Sequence, residues 1–91
     1  MSLVASREWI ATVFRSDGAL LTTITCTDRR ALLDHVVTGW LYNRLDDRGR
    51  RLAAIWLEID NAAAHRLVLR DRRGGNRAEL RAAVRLPARR S

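Results

Sequence analysis

The chain has no lysine, one cysteine, one proline and one methionine in 91 residues. With Cys26 alone, neither an intramolecular disulfide nor a cysteine cage for zinc can form, and nothing points to an oxidising compartment. No stretch reaches the roughly 18 apolar residues that a membrane-spanning helix needs. The first residues lack the basic segment and apolar run of a secretory signal. His35 and His65 stand at no metal-ligand spacing from each other or from Cys26. A P-loop, a glycine-rich dinucleotide turn and a Ser-His-Asp order are all missing. The expectation is a soluble, cytoplasmic protein with no membrane partner, no metal, no cofactor and no catalytic residue.

What is present is arginine, seventeen of them, against ten acids for a net charge of +7. From residue 70 to the end lie eight arginines and two acids, so six of the seven net charges fall in the last quarter. Replacement of lysine by arginine throughout a chain is also what GC-rich coding produces. Coding bias does not explain the crowding at one end. Such a segment fits a polyanion, because the guanidinium offers a flat fork of donors to phosphate or carboxylate.

Residues 7–15 and 19–27 are rich in β-branched and aromatic side chains and flank Ser16-Asp17-Gly18, which predicts a β-hairpin. Thr27 or Asp28 then caps a helix carrying Leu32, Leu33, Val36, Val37, Trp40 and Leu41 as an apolar stripe. Residues 43–51 read as a polar loop with the charge-balanced pair Asp46-Asp47. Residues 52–60 alternate Ala53, Ile55, Leu57 and Ile59 against Trp56 and Glu58, which predicts a third strand. Residues 61–65 fit either a connection or a helix capped by Asn61. The pattern leaves strand or helix open across 61–72 and favours a fourth strand at 66–72 with Leu67 and Leu69 inward. Asn76-Arg77-Ala78-Glu79 has the form of a capping box, predicting a short basic helix that Pro87 ends.

The fold class expected is α+β: a three- or four-stranded, mainly antiparallel sheet, one long helix packed on one face, and a short basic C-terminal helix. Residues 1–75 form the domain, and residues 76–91 the helix and tail packed on it or extending from it. Arg77, Arg81 and Arg85 would hold nucleic-acid phosphates, with Arg72, Arg73, Arg89 and Arg90 as auxiliaries. Trp56, facing the open side of the sheet near Arg66, Val68 and Arg70, would offer a stacking surface, or else be covered by a helix or a dimer partner. Trp9 and Trp40 read as core. The competing reading is a protein-interaction module of inhibitor, antitoxin or immunity type, whose basic arm meets an acidic protein. Homodimerisation through the Trp56 face fits either.

The stretch WIATVFRSDGALLTTITCTDRRALLDH at residues 9–35 resembles the opening of small single-domain GIY-YIG nuclease-like proteins, and Arg48-Gly-Arg-Arg51 before a strand ending at Glu58 resembles their basic loop and third strand. The departures are extensive. Ala11-Thr12 and Leu21-Thr22-Thr23 stand where the signature tyrosines and glycine belong, and the catalytic arginine falls on Ala31, one residue from Arg30. His35 matches, but no glutamate follows Asp60 where the metal-binding one is expected. The resemblance implies a nucleic-acid-facing scaffold without the nuclease. A residual enzyme would need His35 and an acid such as Glu58 to converge.

Overall fold

The computed structural model describes residues 8–60 and 62–83. Four strands form one antiparallel sheet in the order β2-β1-β4-β3, with two helices on one face. An α+β fold is therefore present, with two helices of similar length in place of one long helix.

β1 (Glu8–Phe14) and β2 (Leu20–Cys26) make the expected hairpin. Its turn closes with the Arg15 N–H donating to the Ala19 carbonyl and the Gly18 N–H donating to the Arg15 carbonyl, both at 2.8 Å. Gly18 takes φ +92°, a conformation that side chains resist. Along β1, Trp9, Ala11 and Val13 point into the core, while the intervening side chains face the other way, as a two-residue period requires.

Asp28 caps α1 (Arg29–Gly39) by accepting from the Arg30 N–H at 3.0 Å. Leu32, Leu33 and Val36 are buried beneath the helix, and Trp40 is half-buried against the core. Buried Leu41 and Leu45 anchor the connection to α2 (Asp47–Glu58).

Residues 43–46 form a connection as expected, but α2 takes the rest of the expected loop and residues 52–58 of the expected strand at 52–60. Asp46 caps it through the Gly49 N–H at 2.7 Å, and Arg50 pairs with Asp47 one turn away. The alternation that predicted a strand also satisfies a helical period, and the helical period decides burial. Ala53 and Trp56 are buried three residues apart, whereas Leu52 and Ile55 are exposed. Leucine, alanine and arginine also favour helix over strand.

A single 3-10 turn, Ala62–Ala64, leads to β3 (Leu67–Arg70), with Leu67 and Leu69 inward as expected. The larger correction concerns β4 (Arg77–Ala83), which is a strand where a capped basic helix was expected. Asn76 does not cap. Its side-chain amide donates to the Trp40 carbonyl at 2.9 Å, and its own carbonyl accepts from the Asp71 N–H. β4 lies between β1 and β3 and is hydrogen-bonded to both, so its backbone is satisfied on two sides, and Ala78 and Leu80 fill the core. The boundary expected at residue 75 falls within the β3–β4 turn. Arg85, Pro87, Arg89 and Arg90 lie outside the described residues.

The core closes around Trp9 and Trp56, whose rings meet edge to face at 5.3 Å and 82°. Arg29 stands 5.4 Å from the first ring and 5.8 Å from the second, and donates to the carbonyls of Leu57 and Ile59 at the end of α2. A cation there also complements the negative end of that helix. No helix among the described residues is long and apolar enough to cross a membrane.

Candidate nucleic-acid interface

Both helices pack on the same side, so the opposite face of the sheet is not covered by any described residue. The strand pairing dictates what that face carries. Phe14, Arg77 and Arg70 lie in one row across β1, β4 and β3, and Thr12, Glu79 and Val68 in the next. Ile10 and Arg81 follow, with Arg66 just before β3.

Arg70 and Arg77 are direct cross-strand partners, an apposition of like charges that is unfavourable unless something between them is negative. Glu79 answers only part of this charge: its carboxylate receives Arg66 at 3.3 Å and Arg77 at 3.5 Å. The Arg77 guanidinium also lies 4.6 Å from the centre of the Phe14 ring, held as a cation over an aromatic face. Arg70 and Arg81 are exposed, and their side chains form no hydrogen bond or ion pair among the described residues.

Two clefts flank β3, and Arg70 lines both. One, of about 350 Å³, opens between the two hairpin turns and is bordered by Arg15, Asp17, Arg70, Asp71 and Arg77. The other, of about 460 Å³, runs between β3 and the start of α2 and is bordered by Arg48, Leu52, Arg66, Val68 and Arg70. Within the first cleft Arg15 holds Asp17 at 2.6 Å. That guanidinium, then the Ala19 N–H, lower the Asp17 carboxyl to about 2.

The turn between β3 and β4 is fixed from beneath by Asp71, which is buried. Arg44 donates to it through Nε at 3.0 Å and Nη2 at 2.5 Å, and the Arg73 N–H adds a third bond at 2.9 Å. The Arg44 contact first, then the Arg73 N–H, hold this carboxyl below its ordinary value. Gly75 packs directly over the group, since a Cβ there would stand 2.5 Å from Asp71 Oδ2. Arg44 also joins the turn to the α1–α2 connection, where its guanidinium lies 4.8 Å from the Tyr42 ring. The result is a turn anchored from beneath, with Arg72 and Arg73 exposed at its surface.

Of the residues expected to form the site, Arg77 and Arg81 share the open face, and Arg72 and Arg73 occupy the adjacent turn. Arg85, Arg89 and Arg90 fall outside the described residues. Trp56 is not on a sheet at all: it belongs to α2, is 3% exposed and donates its indole N–H to the His65 carbonyl at 3.4 Å. Buried in the core, it offers neither a stacking surface nor a dimer face. The aromatic ring on the open face is Phe14. The alternation of β1 could have revealed it, and that of β3 marked Arg66 and Arg70 as outward. The two hairpin turns lie near enough for Arg15 and Arg70 to border one cleft, a juxtaposition no local pattern encodes. His35 and Glu58 form no hydrogen bond or ion pair with each other, and no group of three His, Cys, Asp or Glu side chains among the described residues is placed to hold a metal ion.

Known protein families, curated proteins and solved structures include no match to this chain.

Proposed function

We propose that this protein is a non-catalytic nucleic-acid-binding module whose open sheet face receives a single strand, with phosphates gripped by Arg66, Arg70, Arg77 and Arg81. The observation that carries the reading is the facing pair Arg70 and Arg77, two guanidinium groups on adjacent strands that an intervening phosphate would reconcile. A broad sheet face suits a single strand better than a duplex groove, which admits a helix or a narrow ribbon. Phe14 offers one ring for stacking, so charge supplies most of the affinity and sequence preference is slight. Arg72 and Arg73 extend the strip, and the arginines at 85, 89 and 90 add to the same positive field. The GIY-YIG likeness is consistent with a nucleic-acid-facing scaffold. With Ala31 where that family's arginine belongs, no nuclease step is assigned.

Fluorescence anisotropy of labelled single-stranded and duplex probes tests this. Neutralising four phosphates implies affinity for the single strand about 50-fold weaker at about 200 mM salt than at about 50 mM. Arg70→Glu with Arg77→Glu is expected to weaken binding about 100-fold and to flatten that salt dependence. Binding that ignores the double reversal overturns the reading. If neither probe binds while a polyglutamate probe does, the same arginines serve an acidic protein segment.

A further inference from the structure

The β2 edge of the sheet is unlike the rest of the surface. Residues 18–27 contain no charged side chain, in a chain whose net charge is +7. β2 is seven residues long, pairs with a strand on one side only among the described residues, and contains neither proline nor glycine. Edge strands are ordinarily kept from pairing by brevity, inward or edge charge, proline or a bulge. Only the last is found here. The register shift lies between Val13 and Phe14 at the turn end, leaving Thr22 through Cys26 in unbroken register with β1. Leu20 is 61% exposed and Leu21 38% exposed at the same edge, and Thr23 and Thr25 are exposed along it.

We infer that β2 pairs antiparallel with β2 of a second copy, giving a homodimer with one continuous eight-stranded sheet. Electrostatics select a second copy as the occupant. The positive charge gathers on the open face and the β3 edge, where two copies would repel each other, and an uncharged strand meeting its own image is where that repulsion is least. The opposite edge cannot serve in this way, because it would set Arg66 and Arg70 of the two copies against each other. β-branched Thr22, Thr23, Ile24 and Thr25 suit cross-strand contact. Antiparallel pairing about a two-fold axis normal to the sheet keeps both helix layers on one side and both arginine faces on the other.

Sedimentation velocity in nucleic-acid-free buffer, from about 1 to about 200 μM protein, is expected to show a species of about twice 10.4 kDa. Thr23→Lys with Thr25→Lys, which places lysines around the axis, is expected to raise the dissociation constant at least tenfold. Thr23→Val with Thr25→Val keeps the dimer. Amide hydrogen exchange of the unaltered protein locates the contact without mutation, with protection at residues 22–26 rising with concentration. A monomer throughout the range overturns the inference, as does a dimer that the folded lysine variant retains. A dimer whose concentration-dependent protection falls on β3 and not on β2 overturns it equally.

Discussion

β3, at one edge of the sheet, is four residues long and lies among Arg66, Arg70, Arg72 and Arg73, whereas β2, at the other, is seven residues long without one charged side chain. Among the described residues each pairs with a strand on one side only, and both belong to the same hydrogen-bonded sheet. What distinguishes them is the partner that each tolerates. Guanidinium groups at β3 exclude a second copy and attract anions, while the neutral β2 edge attracts no anion and leaves self-pairing unopposed. Charge distribution along the chain thus makes the two edges of a single sheet chemically unlike, a distinction invisible in the net charge.

The most severe way to break the comparison is Trp56→Ala. It empties the centre of the core beneath both edges and is expected to cost about 3–5 kcal/mol of stability. Urea unfolding measures that loss, and both binding and self-association should fail together. Next in size is the Arg70→Glu, Arg77→Glu pair, expected to weaken single-strand binding about 100-fold while the sedimentation behaviour stays that of the unaltered protein. The lysine pair on β2 should do the reverse, abolishing self-association with little loss in affinity per site. If either double variant disturbs both properties, the edges are not independent.

Gly75→Ala sharpens the β3 side more gently. Its added methyl meets Asp71 and is expected to displace that carboxylate from Arg44, lowering Tm by on the order of 10 °C. The smallest effect is in acid. Asp71 and Asp17 have lowered pKa values in the folded state, so their stabilisation is present above the ordinary carboxylate value of about 4 and is lost as pH falls through the lowered values. Urea midpoints measured from about pH 5 down to about pH 2 should therefore decline, and Asp71→Asn should make the decline shallower.

The hairpin and β3 are legible in the sequence because their signals are local: Asp17-Gly18 between β-branched runs, and the short apolar run Leu67-Val68-Leu69 between Arg66 and Arg70. α2 and β4 are not, because each apolar pattern satisfies two periods and a distant partner chooses between them. Residues 52–60 alternate, yet Trp56 finds Trp9 only from a helix. Residues 76–79 carry a helix-capping signature, yet the slot between β1 and β3 claims residues 77–83 as strand. The outward placement of Arg77 and Arg81 was nevertheless readable, for a reason independent of secondary structure. A spacing of four returns to nearly the same face of a helix and to the same face of a strand.

The edge-to-face indoles of Trp9 and Trp56 also make the protein its own optical gauge. They lie on the helix side with half-buried Trp40, and no tryptophan among the described residues occupies the open face. Emission and near-ultraviolet dichroism should therefore change sharply when the core opens and hardly at all when a strand occupies the arginine face. One spectrum can then certify that a charge-reversed variant has lost its ligand and kept its fold.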